Sequence, residues 1–152
     1  MEEEIKRPGG LTALAVINFI FGGLGLMGSG FSTLSRSMIG NISLTSLPEA
    51  QRAQIEALLR IDPALYAIMI VMGIISALLL ILSGIGYLKQ QRILGRIIGN
   101  IYGFYGIVSV IVSYLIMPKE LLGSGIMSVL QIIYPTLTLI LLDTAFKNDL
   151  KN

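Results

Sequence analysis

Long apolar runs alternate with short charged breaks along this chain. No Asp, Glu, Lys or Arg occurs between Arg7 and Arg36, Asp62 and Lys89, Arg96 and Lys119, or Glu120 and Asp143. Each run exceeds 20 residues, and about 20 apolar residues cross roughly 30 Å of hydrocarbon as a helix. Backbone groups in lipid must be satisfied within their own segment, so such runs are helices rather than single strands. The pattern predicts an all-α polytopic membrane protein. Its four-transmembrane-helix bundle has spans at about 11–33, 64–88, 95–117 and 122–146 and forms one domain over 1–152.

The connections carry their own signals. Residues 34–63 are the only sizeable extramembrane stretch. Within it, Ser46-Leu47-Pro48-Glu49 fits a capping box, with Ser46 as N-cap, Pro48 in the first turn and Glu49 reaching back. A short amphipathic helix to about Arg60 should follow, with Ile55, Leu58 and Leu59 on one face as a lid or a docking surface. Asp62-Pro63 reads as N-cap and first helical position of the second span. The links Lys89-Gln90-Gln91-Arg92 and Pro118-Lys119-Glu120 are short enough to make the helices on either side antiparallel neighbours.

Composition supports this picture. Of 152 residues, 54% are hydrophobic and 13% charged, with a mean hydropathy of +0.80. A soluble domain carries about 25% charged residues. The first run is too long for a signal peptide and no A-x-A-like site follows it, so it is expected to be retained. Lys and Arg set orientation. Lys6, Arg7, Lys89, Arg92, Arg96, Lys147 and Lys151 fall on one side, against Arg36, Arg52, Arg60 and Lys119 on the other. Seven against four favours both termini in the cytoplasm, with loop 34–63 outside.

Chemistry is sparse. There is no Cys and no His. That excludes disulfides, thiolate nucleophiles, imidazole bases, histidine-ligated haem and ordinary zinc sites. No catalytic, cofactor or metal site is expected. A net charge of +2 without an aromatic-plus-basic patch gives no case for nucleic acid. No acid occurs in the first span, which argues against the proton coupling of small four-span multidrug exporters. Gly22-Gly23-Leu24-Gly25 is not a phosphate loop, because it lies in an apolar span and lacks a following Lys-Ser/Thr.

The distinctive residues are small or neutral polar ones. Gly95, Gly99 and Gly103 form two overlapping G-x-x-x-G units, the spacing of a glycine zipper, and Gly22, Gly25 and Gly28 recur along the first span. Such faces let helix backbones approach closely, within the chain or between subunits. Asn18, Asn100 and Gln131 are the polar candidates, with Pro135 a kink one turn after Gln131. Asp143 is expected to pair with Arg96 or Arg92 at the cytoplasmic end, and Tyr66, Tyr87 and Tyr114 read as interface anchors.

Arg7-Pro8-Gly9-Gly10-Leu11-Thr12-Ala13-Leu14-Ala15 running into Phe19-Ile20-Phe21-Gly22-Gly23, and Ser83-Gly84-Ile85-Gly86-Tyr87-Leu88 before a basic turn and Leu94-Gly95-Arg96, resemble small bacterial and archaeal membrane proteins. The resemblance implies four spans and offers no catalytic residues. Two functions follow as expectations. One is a non-enzymatic helix-packing subunit or scaffold, partnered by the bilayer, a bound lipid, its own copies or another membrane protein. The other is an oligomeric channel or carrier for a small solute or lipid, lined by Asn18, Asn100, Gln131, Thr136 and Thr138.

Overall fold

A computed structural model describes residues 9–39, 43, 45, 47–118, 121 and 125–150. The chain is all-helical, with no strand among the described residues. The helices are α1 (Gly9–Ile39), α2 (Glu49–Arg60), α3 (Pro63–Leu88), α4 (Ile98–Ile116, entered through a π-helical turn Arg92–Ile97) and α5 (Gly125–Asp143). Three segments are long and apolar enough to cross a membrane: Gly9–Ile39, Pro63–Leu88 and Arg92–Ile116. The described apolar part of α5, Gln131–Asp143, is shorter.

The surface of these helices suits hydrocarbon. Leu115 is 81% exposed, Phe31 74% and Phe104 70%. Large side chains of this kind at such exposure would be a liability in water.

Local chemistry explains the helix ends. The Asp62 carboxylate accepts from the N–H groups of Ala64 and Leu65 at 2.8 and 3.2 Å, with Pro63 in the first position. Two of the orphan N–H groups of α3 are thereby satisfied. At its other end, α3 closes in a Schellman motif. Gln91 N–H bonds to Gly86 C=O at 2.9 Å and Gln90 N–H to Tyr87 C=O at 3.3 Å. Gln90 (φ 53°) takes the left-handed conformation usually given to glycine.

Helix α2 departs from the capping-box reading. It begins at Glu49, with Pro48 in the N-cap position and no side-chain cap. Ser46 lies outside the described residues. Pro48 has an extended backbone (ψ 144°), so it precedes the first turn rather than entering it. Its carbonyl accepts from Arg52 N–H at 3.0 Å. Ala57 is the residue α2 buries, while Leu59 stays 47% exposed.

The long helices pack as two close pairs, α1 with α3 and α4 with α5, joined through the tight α3–α4 corner. The compact core lies at the end holding the start of α1, the α3–α4 corner and the C-terminal turn. It comprises Leu11, Leu14, Ala15, Tyr87, Leu142 and Leu150, with Phe19, Leu88 and Phe146 packed against it.

Candidate functional site

Glycines decide how closely the helices meet at this closed end. A Cβ on Gly86 would run into the backbone of Leu94 and Gly95. One on Gly99 would collide with the Tyr87 hydroxyl and with Leu142 Cδ1 at 2.6 Å. Gly103 faces Leu139 in the same way, with Cγ at 2.5 Å and Pro135 O at 3.1 Å, and Gly106 receives the Pro135 ring at 2.9 Å. Gly95 is bounded by Leu150 and Tyr87 at 3.0 and 3.2 Å. The glycine face of α4 is therefore filled by α3 and α5 of the same chain.

On α1, Gly22 meets Ile81 at 2.7 Å and the Ala77 carbonyl at 3.0 Å, and Gly25 meets Ala77 at 3.1 Å. Gly28 departs from the packing expected of it. Nothing lies within 4 Å of where its Cβ would stand. The residue is exposed, and it borders a cavity instead.

A buried neutral polar cluster links α1, α3 and α5. Asn18 on α1 donates through Nδ2 to Ser83 Oγ on α3 at 2.6 Å. Ser83 in turn donates to Leu80 C=O at 2.9 Å. The Tyr134 hydroxyl on α5 donates to Asn18 Oδ1. Phe21 stands edge-on to the Tyr134 ring at 5.0 Å, and Tyr102 of α4 lies 6.2 Å from it. Asn18, Ser83 and Thr138 are wholly buried, and Thr138 bonds back to Tyr134 C=O at 2.9 Å. Tyr87 is also fully buried, and its hydroxyl makes no hydrogen bond of normal geometry among the described residues. This corrects its reading as an interface anchor: the missing side chains of Gly95 and Gly99 let its ring enter the bundle.

Asn18, Asn100 and Gln131 go to three different surroundings. Asn100 reaches Asp143 Oδ1 with Nδ2 at 3.5 Å, while its Oδ1 is buried without a partner. Gln131 is exposed and borders a cavity. Pro135 is buried inside α5. Thr136 flanks it and bonds back to Ile132 C=O at 2.8 Å. Asn18 and Thr138 are enclosed within one chain, so they line no lumen between chains.

Arg96 Nη2 donates to Asp143 Oδ1 at 3.0 Å, linking the entrance of α4 to the end of α5. Arg92 is exposed and takes part in no ion pair among the described residues. One turn of π-helix separates its role from that of Arg96.

The opposite half of the bundle is open. A cavity of about 320 Å³ lies between α3, α4 and α5, bordered by Met72, Ser76, Ser109, Ser113 and Gln131. Ser109 Oγ is buried there without a partner. A second cavity, about 410 Å³, runs between α1 and α3 under Leu58 of α2, beside Gly28, Ser29 and Ser32. Both touch Met69 and Met117.

Arg36, which entered the sequence reading only as a charge, proves to be the best-held cation. Its guanidinium lies 4.3 Å over the Tyr66 ring and donates through Nη2 to Ile61 C=O at 2.8 Å. Tyr66 is itself fixed by a 2.8 Å bond to Ser32 C=O. Compared with protein-family models, curated proteins and solved structures, the chain matches none.

Proposed function

We propose that this chain is a non-enzymatic protein of a prokaryotic cytoplasmic membrane, of the small four-span kind it resembles, with α1, α3, α4 and α5 as its spans. Both termini lie in the cytoplasm, and the protein serves as a subunit or scaffold in a membrane complex. The observation that supports this most is that the intramembrane polar side chains of Asn18, Ser83 and Tyr134 bond to one another and carry no charge. Their work is to fix helix register, as interhelical hydrogen bonds in lipid do. The glycine face of α4, and Gly22 and Gly25 of α1, are occupied from within the chain. A partner or a second copy therefore meets the outer apolar faces, such as Met27, Phe31 and Leu34 of α1, and not the Gly95-Gly99-Gly103 face.

The channel or carrier reading keeps one supporting observation, the pair of Ser- and Met-bordered cavities in the open half, one of them beneath Leu58 of α2. Two of its five lining residues are lost to the interior, Asn18 and Thr138.

The chain lacks cysteine, so single-cysteine variants test topology without background. Ser43→Cys should react with an impermeant maleimide on intact cells, and Gln90→Cys only after permeabilisation. The reverse pattern would overturn the orientation, and labelling of both from outside would overturn the count of spans. Mild extraction should then yield a stoichiometric complex. A lone monomer would sink the subunit reading, and a ring with a continuous polar lumen would replace it with the channel.

A further inference from the structure

Arg36 is over-constrained for a residue that merely ends a helix. One face of its guanidinium is covered by the Tyr66 ring, and Nη2 is engaged by the Ile61 carbonyl. Of the other two nitrogens, Nη1 is buried and has no hydrogen-bond partner among the described residues. No carboxylate pairs with Arg36 among the described residues. Asp62, beside Ile61, is committed to the N-cap of α3. A buried cationic donor left unpaired is costly, and a guanidinium fork matches a phosphate or carboxylate edge.

The surroundings select among anions. Arg36 forms one end of an open groove of about 430 Å³ between α1 and α3. Thr33 and Ser37 flank the charge, and Ala67, Ile70 and Val71 continue the groove as apolar wall. Both hydroxyls already donate to carbonyls of α1, to Ser29 at 2.9 Å and to Leu34 at 2.7 Å. Arg36 is therefore the group with donors to spare. From Gly9 to Arg36, α1 rises about 40 Å at roughly 1.5 Å per residue. Hydrocarbon accounts for about 30 Å of that, which puts the guanidinium at headgroup depth in the leaflet beside α2.

We infer that Arg36 and the α1–α3 groove bind an anionic phospholipid, with the phosphate beside the partly exposed Arg36 guanidinium and an acyl chain against Ala67 and Val71. The inference rests on the membrane placement proposed above. Tyr66 and Ile61 hold the guanidinium in position before the lipid arrives, so little ordering cost falls on binding.

The test uses the full chain purified in detergent, after membrane fractionation has established that it resides in the bilayer. Failure of that first step would speak to the placement and not to the site. Native mass spectrometry then compares phosphatidylglycerol, uncharged diacylglycerol and inorganic phosphate. Wild type should retain phosphatidylglycerol at least 5-fold more than diacylglycerol, on the order expected for a charge-assisted contact. Arg36→Gln should erase that preference, Arg36→Lys should restore part of it, and Arg92→Gln, at the opposite end, should leave it intact. Thermal melts monitor folding of each variant, and phosphatidylglycerol should raise the melting temperature of wild type but not of Arg36→Gln. Equal retention of the two lipids, or an equal loss in Arg92→Gln, would overturn the site. Full displacement of lipid by millimolar inorganic phosphate would overturn the lipid as its ligand in favour of a free anion.

Discussion

The two ends of this bundle are built from the same residue types and do opposite things with them. At the closed end, glycine, serine and tyrosine interlock. Gly86 abuts the backbone of the next helix, Gly99 abuts the Tyr87 hydroxyl, and Ser83 is bonded on both sides. At the open end, among the described residues, Gly28 has nothing against it and Ser109 has no partner, and methionines border two cavities. Small residues therefore have no fixed meaning in a membrane helix. They permit close approach where a neighbour arrives and leave a void where none does.

Substitution of glycine gives the sharpest break of that comparison. Gly86→Ala places a methyl group against rigid backbone, which no rotamer change can relieve. We expect a loss of about 3 kcal/mol or failure to fold, at the top of the range for overpacked cores. Gly28→Ala meets nothing within 4 Å and should stabilise by roughly 0.4–1 kcal/mol, by restricting the unfolded chain and favouring helix. Thermal unfolding in detergent measures both. If the two variants behave alike, the contrast between the ends is not one of packing.

A smaller effect probes the polar cluster. Asn18→Ala leaves Ser83 Oγ and the Tyr134 hydroxyl without their shared partner. The expected cost is about 1–2 kcal/mol, the upper part of the range for interhelical bonds in lipid. Ser109→Ala removes a hydroxyl that bonds to nothing and should be neutral. In a double-mutant cycle, Asn18→Ala and Ser83→Ala should couple, while Asn18→Ala and Ser109→Ala should add independently. Coupling in the second pair would join the two ends energetically and erase the distinction.

These contrasts also mark how far the sequence could be read. Three of the spans, the Asp62-Pro63 helix start and the short Lys89-Gln90-Gln91-Arg92 link follow from charge spacing and capping chemistry, which act locally; most of the link after Pro118 lies outside the described residues. The glycine spacing on α4 pointed to close packing but not to which helix would fill it, because a repeat specifies a face and not a partner. Tyr87 looked like an interface anchor because it lies near a span end, and only the room left by Gly95 and Gly99 on another helix turned it inward. Arg36 was legible as a charge, but its value comes from Tyr66 and Ile61, some 25–30 positions away. Side chains whose role depends on distant neighbours leave no local period to read. Gly28 shows the converse: its spacing turns it off the contact with α3, which passes instead to Ser29 and Ser32.

The smallest expected effect lies in the Arg96–Asp143 pair, which sits at the closed end yet is not part of its packing. The bond is 3.0 Å long, but the Asp143 side chain remains 50% exposed and that of Arg96 23%. Solvent and counterions screen such a pair, and exposed ion pairs contribute about 0–1 kcal/mol. Arg96→Gln and Asp143→Asn should therefore each cost less than about 1 kcal/mol. Their coupling should shrink between 50 mM and 1 M salt, as the screening length falls from more than 10 Å to about 3 Å. Asn100, which also reaches Asp143, should keep α4 and α5 in register in both variants. A coupling above 2 kcal/mol that survives high salt would mean that charge rather than interlocking small residues holds this end closed. The contrast with the open half would then have to be redrawn in electrostatic terms, with Arg36 as the unpaired counterpart of Arg96.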